Sequence, residues 1–327
     1  MEFMLPLELP KASRLINHQQ KILSVGSCFT EHIGNALKDL KFQVLQNPNG
    51  ILFDPGSVCS SLHSYIQNKQ YSDADLFKLN ELWLSWQHHS RFSGINKDAV
   101  LQKINSSQTT AHQFLKEAGW LIITLGSAFS YRLVNEALQP VANCHRAPAQ
   151  TFAKYLTPIN EIIEDLENTI DQLTLFNPTL SIIFTISPVR HIRDGVVENN
   201  RSKARLIEAV HHMVNNSDHI FYFPAYEVLI DILRDYRFYD VDMVHPNYPA
   251  TEFVLEKFQQ AFMNAETVQL SEEIKKLVIA RKHRSANPQT EAHKKFMHTH
   301  LQKTKDLQSR FPFLSLEQEL EYFSSNI

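Results

Sequence analysis

The stretch Lys21-Ile22-Leu23-Ser24-Val25-Gly26-Ser27-Cys28-Phe29 decides how this chain folds. It is a short apolar run that ends at a glycine and is followed by a serine and a cysteine. Strands covered on both faces read as nearly continuous apolar runs, and open α/β sheets meet their ligands just beyond such strands. The stretch therefore predicts a buried strand whose carboxyl end delivers Ser27 to a following helix.

The same alternation of strand and helix continues along the chain. Further apolar runs, bounded by Gly, Pro, Asn or Ser, predict strands at Phe42–Leu45, Trp120–Leu125, Ser181–Ser187 and His219–Phe223. Between them the pattern predicts helices at Thr30–Leu40, Ser57–Gln67, Ala99–Ala118, Pro158–Leu175, Ser202–Val214 and Tyr226–Asp235. Thr30 and Ser57 suit helix N-caps, and Pro158 suits a first helical position. Alternating elements predict an α/β fold, with a parallel sheet and helices on both faces.

Two regions depart from this pattern and define the expected domains. Residues 71–96 alternate in polarity and contain Trp83 and Trp86, which indicates a hairpin or an insertion. Residues 266–327 are polar, basic and helical in pattern, so we interpret them as a helical extension of an α/β domain spanning residues 1–265. A basic helix is usually a solvated face, with a nucleic-acid or acidic-lipid contact as the alternative.

Composition narrows the class of protein. The 327 residues are 43% hydrophobic, with a formal net charge of −3, which favours no polyanionic partner. No run approaches the roughly 18 apolar residues of a membrane span, and residues 1–8 lack the basic cluster of a secretory signal. The three cysteines have no CxxC spacing, which argues against disulfides and a zinc knuckle. We therefore expect a cytoplasmic protein that binds neither membrane nor nucleic acid; the oligomeric state stays open.

Cofactors find no support in the motifs. Neither G-x-x-x-x-G-K-[ST] nor G-x-G-x-x-G occurs, so the sequence predicts no nucleotide site. The 16 histidines include no H-E-x-x-H pattern, and the adjacent pairs His88-His89 and His211-His212 point their rings apart on a strand or a helix. The expectation is an enzyme without metal or cofactor.

Ser27, Asp242 and His245 could form a Ser-His-Asp triad. A serine hydroxyl needs a base to take its proton, and the base works best when a carboxylate fixes its tautomer. A three-residue spacing on one helical turn would put Asp242 and His245 on the same side. Cys28 is the rival nucleophile, although alternation at a strand end should turn Ser27 and Cys28 to different sides.

Other candidates follow strands or interrupt loops. Arg190 and His191 come directly after the predicted strand Ser181–Ser187, and a guanidinium there suits a carboxylate, a phosphate or a sugar acid. His145 lies in the loop segment Asn143-Cys144-His145-Arg146. A surface loop with a structural ion pair is the plain alternative for Arg190 and His191.

Taken together, these segments resemble the GSCFA family, a branch of the SGNH/GDSL-like hydrolases. The signature is Gly26-Ser27-Cys28-Phe29, with Thr30 where the family has alanine. The other matching segments are Asn47-Pro48-Asn49-Gly50, Thr124-Leu125-Gly126-Ser127-Ala128, Asn143-Cys144-His145, Ser187-Pro188-Val189-Arg190-His191 and Asp242 through His245.

This resemblance implies a flavodoxin-like three-layer α/β/α sandwich. It assigns Ser27 as the nucleophile and Asp242 and His245 as its partners. It also implies an oxyanion hole from the backbone N–H groups of Ser27 and Gly50. SGNH enzymes add an asparagine from a G-x-N-D block, which this chain lacks at Gly126-Ser127-Ala128, so either Ser127 or Asn143 supplies that donor or the oxyanion hole is incomplete.

The combined expectation is a serine esterase or deacylase that acts through an acyl-enzyme. Its substrate would be a small-molecule or carbohydrate ester, with His145, Arg190 and His191 contacting the alcohol part. An O-acyltransferase on the same triad is the close alternative. A non-catalytic module that binds carbohydrate or protein is the alternative from another class.

Overall fold

A five-stranded parallel sheet forms the centre of the computed structural model, which describes residues 5–134 and 138–325. Its strands are β1 (Lys21–Gly26), β2 (Gln43–Gln46), β5 (Trp120–Leu125), β9 (Ser181–Ile186) and β10 (Ile220–Phe223). They lie in the order β10-β9-β5-β1-β2, and every neighbouring pair is parallel. The α/β fold expected from the sequence is confirmed, and so are all five strands.

Helices cover both faces of this sheet and make the three layers. Along β1 and β5, side chains alternate between two apolar clusters: Leu23, Val25 and Leu121 face one, and Ile22 and Ile122 face the other. The first cluster is closed by α2 (Pro55–Ile66), α3 (Lys97–Glu117), α4 (Ile159–Phe176) and α5 (Val196–Asn215). The second is closed by α1 (Cys28–Asp39) and α7 (Tyr248–Phe262).

The helix starts differ from those expected from the sequence. The residue at the N-cap of α1 is Ser27, not Thr30, and at the N-cap of α2 it is Asp54, not Ser57. Asp54 outcompetes Ser57 because its carboxylate accepts the Ser57 N–H and Pro55 can occupy the first helical position. Pro158 is itself the N-cap of α4 rather than its first residue.

Smaller elements decorate the carboxyl edge of the sheet. Residues 71–96 contain the expected hairpin, formed by the antiparallel strands β3 (Phe77–Leu79) and β4 (Leu82–Leu84). A second antiparallel sheet, which the sequence did not predict, orders as β7-β6-β8. Its strands are β6 (Phe129–Leu133), β7 (Pro140–Val141) and β8 (Phe152–Leu156). The segment expected as a helix at Tyr226–Asp235 is α6 (Ala225–Glu227) continued by a π-helical turn (Val228–Leu233).

The C-terminal region is helical, as expected: α8 (Ala265–Lys282), α9 (Glu291–Arg310) and α10 (Glu317–Ser325). Glu319 of α10 is fully buried, 2.6 Å from Lys41 Nζ and 2.9 Å from Arg281 Nε. These are ion pairs by distance whose atoms are not aligned as hydrogen bonds. The division at residue 265 stays a prediction, and residues 1–4, used above for the secretory signal, lie outside the described part.

Within residues 5–134 and 138–325, no helix combines the length and the apolar character that crossing a bilayer requires.

Candidate active site

The carboxyl ends of β1, β5 and β9 meet at one edge of the sheet, and Ser27 lies there. It occupies the N-cap of α1, with φ −67° and ψ 175°, but its side chain makes no capping hydrogen bond. Its backbone N–H donates to Thr124 O at 3.0 Å. The residue is completely buried, and its Oγ has no partner among the described residues. The Ser27 hydroxyl therefore neither caps α1 nor bonds to a base in this structure.

Asp242 and His245 are paired as expected, but in a turn rather than on a helix. His245 Nδ1 lies 2.6 Å from Asp242 Oδ2, while Asp242 Oδ1 accepts the N–H groups of Val244 and His245. This folding back requires Met243 to adopt a left-handed conformation, with φ 59°. Hydrogen bonds from the His245 backbone and ring, and from the Val244 backbone, lower the pKa of Asp242 to about 2. The carboxylate is thus ionised and fixes the histidine with Nε2 free to act as a base.

That free nitrogen faces Cys28 rather than Ser27. His245 Nε2 lies 3.7 Å from Cys28 Sγ. Because α1 starts at Cys28, this thiol is the first side chain of the helix and turns toward His245. Burial raises the pKa of the Cys28 thiol, and the opposing contributions come first from the Phe29 backbone N–H and then from Lys203. Of the two nucleophiles weighed from the sequence, the structure brings Cys28 into the line with His245 and Asp242.

The oxyanion donors expected from the resemblance are largely engaged elsewhere. The Ser27 N–H bonds to Thr124 O, and the Gly50 N–H bonds to Asn47 O at 2.7 Å. Ser127 Oγ lies 3.2 Å from Ser202 Oγ and also accepts the Phe129 N–H. Asn143 Oδ1 accepts the His145 N–H, whereas its Nδ2, the group that could donate, has no partner among the described residues. The two backbone donors, Ser27 N–H and Gly50 N–H, are therefore both occupied by other carbonyls in this structure.

Gly126 lies where Ser27 and His191 approach each other. A Cβ built on this glycine would come within 3.2 Å of Ser27 Cβ and 3.3 Å of His191 Nε2. The backbone N–H of His191 donates to Asn199 Oδ1, which fixes the position of this residue. Burial, followed by the charges of Lys203 and His245, lowers the pKa of His191 to about 4. The ring is thus neutral at pH 7, and its buried Nε2 has no partner among the described residues.

Lys203 lies beneath these strand ends as a buried cation. Only 1% of the residue is exposed, and its Nζ donates to Gly126 O at 2.6 Å and Ser187 O at 2.7 Å. No carboxylate pairs with it among the described residues. Burial lowers the pKa of Lys203 to about 7, and the nearby Cys28 opposes this shift. Lys203 therefore ties the ends of β5 and β9 to α5 directly below the catalytic candidates.

Sequence reasoning missed this anchoring role of α5. Asn199, Ser202 and Lys203 hold the loops after β5 and β9 by hydrogen bonds to His191, Ala128 and Gly126. The spacing of Lys203 from the apolar residues of α5 could have indicated this role. Lys203 shares a helix face with the apolar Leu206 and Val210, three and seven residues on, and a cation on an apolar face is an anomaly.

A cavity of about 670 Å³ opens beside this centre. His145, His191, Asn143 and Ser127 line it, and the contact of the two histidines with a substrate stays a prediction. Arg190 lies outside the lining and stacks on Tyr239, with its Cζ 4.4 Å from the ring centroid. Arg146 and Arg193, which the sequence analysis did not single out for binding, line the cavity instead.

No group of three or more His, Cys, Asp or Glu within the described ranges is arranged to hold a metal ion.

Comparison with known families matches the GSCFA family over residues 21–258. The chain belongs to the GSCFA family. The remaining helices match the C-terminal domain of GSCFA domain proteins over residues 273–327. Among curated proteins no relative of this GSCFA protein is found.

Two solved structures are similar to the chain at low identity. The first is the Clostridium thermocellum family 3 carbohydrate esterase, at 10% identity and a TM-score of 0.35, covering 77% of this chain and 97% of that one. The second is a carbohydrate esterase family 3 protein from Talaromyces cellulolyticus, at 10% identity and a TM-score of 0.36, covering 78% and 99%. Likeness of this degree says nothing about the chemistry of the GSCFA protein.

Proposed function

We propose that this GSCFA protein is an acyl hydrolase, an esterase or deacylase, whose nucleophile is Cys28 and whose base is His245. The observation that carries the proposal is the continuous line from Cys28 Sγ to His245 Nε2, at 3.7 Å, and from His245 Nδ1 to Asp242 Oδ2, at 2.6 Å. A nucleophile, a base and a carboxylate that orients the base are the three parts of a hydrolytic triad.

The reaction follows from the direction of these contacts. His245 Nε2 takes the thiol proton, and Cys28 Sγ attacks the ester carbonyl carbon to form a C–S bond. The resulting oxyanion is stabilised by unpaired N–H groups in the first turn of α1, each such donor lowering the barrier by roughly 3–4 kcal/mol. His245 then protonates the leaving alcohol. Water, activated by the same nitrogen, cleaves the thioester to release the acid and restore the thiol.

Ser27 is the second candidate nucleophile, as in the serine triad expected from the sequence. Its buried, unpartnered hydroxyl favours it, because such a group is normally hydrogen-bonded unless it has a function. To act, Ser27 Oγ must come within hydrogen-bond reach of His245 Nε2, which Cys28 Sγ now approaches. An acceptor alcohol that replaced water would convert either mechanism into the O-acyltransferase.

The test is hydrolysis of p-nitrophenyl acetate by Cys28→Ala, Ser27→Ala and His245→Ala. Cys28→Ala and His245→Ala should lose at least 100-fold in kcat/KM, within the range of acid-base catalysis. Ser27→Ala should retain most activity and stability because its hydroxyl bonds to nothing. Cys59→Ala is the control for removing a free thiol elsewhere and should keep the wild-type kcat/KM, since Cys59 lies in the apolar cluster against the sheet and outside the cavity lining.

Chemical labelling separates the two nucleophiles. Iodoacetamide followed by mass spectrometry should modify Cys28, more slowly in His245→Ala, and leave the rate at Cys144 unchanged. Fluorophosphonate labelling at Ser27, with full activity in Cys28→Ala, would contradict the thiol mechanism and restore the serine triad. Absence of turnover in folded protein would favour the binding module.

A further inference from the structure

The cavity of about 670 Å³ borders the catalytic candidates through neighbouring residues. Its lining includes Phe53, Ser127 and His191 but not Ser27, Cys28 or His245. Phe53 O accepts the N–H groups of Gly126 and Ser127, and Gly126 lies between Ser27 Cβ and His191 Nε2. A ligand that contacts Ser127 and His191 in the cavity is therefore separated from Ser27 and Cys28 by the Gly126 turn alone. This is where the alcohol part of an ester would extend from the reacting carbonyl.

The charges around the cavity favour an anion. Arg146 and Arg193 line it, and neither forms an ion pair or a hydrogen bond with a carboxylate in the part of the chain that the structure describes. Of the two carboxylates in the lining, Asp194 is already paired with Lys154. Burial raises the pKa of the other, Asp54, which also caps α2. Two guanidinium groups thus remain without a counter-charge, and guanidinium matches carboxylate and phosphate geometry.

Two unpaired ring nitrogens indicate a hydroxylated ligand. His145 Nε2 bonds to Ser85 O at 2.8 Å, so Nε2 carries the hydrogen and the buried Nδ1 is left as a free acceptor. His191 Nε2 is likewise buried and unpaired. Burial lowers the pKa of both rings, so they bind as neutral hydrogen-bonding groups rather than as cations.

The backbone and the remaining wall fit the same ligand. His145 and Arg146 both adopt left-handed conformations, with φ 49° and 58°, a costly geometry that clusters at ligand-binding sites. Phe129 and Phe152 also line the cavity and offer aromatic surface for an apolar C–H face. A sugar ring combines hydroxyl groups with such a surface.

We infer that the cavity binds a carbohydrate bearing a carboxylate or phosphate, as the alcohol part of the ester substrate. The role of this carbohydrate as a substrate rests on the proposed function, whereas its binding does not require turnover. Arg146 and Arg193 hold the anionic group, His145 Nδ1 accepts a hydroxyl hydrogen of the ring, and His191 Nε2 forms a second hydrogen bond with a ring hydroxyl.

Binding is measured by isothermal titration with glucuronate, glucose 6-phosphate and glucose, using the wild-type protein and Cys28→Ala. We expect one or both anionic sugars to bind at least tenfold more tightly than glucose, equally in the two proteins. The two anionic arms tell a sugar acid from a sugar phosphate. Arg146→Gln and Arg193→Gln should each weaken the binding of the anionic sugar about tenfold. His145→Ala should lower the affinity for every sugar that the wild-type protein binds. Arg234→Gln, which removes another exposed arginine without an ion pair, is the matched control and should change nothing.

Equal affinity for glucose and the anionic sugars, or anion binding that survives both arginine substitutions, would overturn the inference. Failure of the proposed function is a separate result. Anionic sugars that bind through Arg146 and Arg193 to a protein without hydrolytic activity would leave the site standing and remove the enzyme. Hydrolysis that depends on Cys28, without any anionic preference, would do the reverse.

Discussion

Replacing Lys203 with Met should remove a pH dependence of folding stability that one buried amine imposes. An unfolded lysine has a pKa of 10.5, whereas burial lowers the pKa of Lys203 to about 7. Between these values the unfolded chain binds one proton more than the native protein, so the free energy of unfolding rises with pH. The full rise is about 5 kcal/mol, since each unit of pKa difference corresponds to about 1.36 kcal/mol.

The interval from pH 7.5 to 8.5 isolates this effect. The histidines with pKa values lowered by burial have finished titrating below it, and nearly all native molecules have lost the Lys203 proton by its upper end. The expected gain is about 1.2 kcal/mol in the free energy of unfolding. The three cysteines, whose pKa values are raised by burial from 9.0, reduce the gain by up to about 0.4 kcal/mol in both proteins, so the comparison between the proteins removes their effect.

Urea unfolding at pH 7.5 and 8.5 measures the difference. The wild type should gain about 1.2 kcal/mol more than Lys203→Met over this interval. Lys116→Met, at an exposed lysine of α3, should keep the wild-type dependence. Equal pH dependence in wild type and Lys203→Met would refute the reasoning, because it would mean that Lys203 titrates alike in the native and unfolded states.

Three further predictions concern the site and its support. Asp242→Asn should lower kcat by roughly 10²- to 10⁴-fold in a steady-state assay because His245 loses the partner that fixes its tautomer, and unchanged kcat would remove Asp242 from the mechanism. Gly126→Ala should impair activity far more than urea-measured stability, since its methyl group would lie 3.2 Å from Ser27 Cβ, displacing the turn that carries Cys28, and 3.3 Å from His191 Nε2; a loss of stability alone would assign the glycine to folding. Glu319→Gln should lower the free energy of unfolding by roughly 3 kcal/mol because it leaves the partly buried cations Lys41 and Arg281 without their buried counter-charge, and an unchanged urea midpoint would contradict that role.

The strands of the large sheet could be predicted because a strand buried on both faces consists almost entirely of apolar residues. Trp120–Leu125 and Ser181–Ile186 are nearly continuous apolar runs, and both are completely buried strands. The small antiparallel sheet was missed because its strands are only half-buried: Phe129–Leu133 mixes aromatic, polar and charged residues without regular alternation.

The candidate site could be predicted in part. Asp242 and His245 were paired correctly, although in a turn closed by Asp242 rather than on a helix. The nucleophile depends on one residue of helix register, because a helix that begins at Cys28 directs that thiol, and not Ser27, toward His245. Sequence patterns place helix starts to within a few residues only, which is too coarse to choose between adjacent side chains.

Glu319 has a consequence for how the two family segments work together. Its carboxylate pairs with Lys41, immediately beyond the end of α1, and Lys282 of α8 pairs with Asp39 at the same end. The other end of that helix carries Cys28, about 18 Å away at 1.5 Å per residue. The C-terminal helices therefore contact the far end of the helix that begins at Cys28, the proposed nucleophile. Truncating the chain at residue 265 would remove both of these ion pairs from the C-terminal end of α1. The α/β segment and the C-terminal helices should therefore be kept together in any engineered variant.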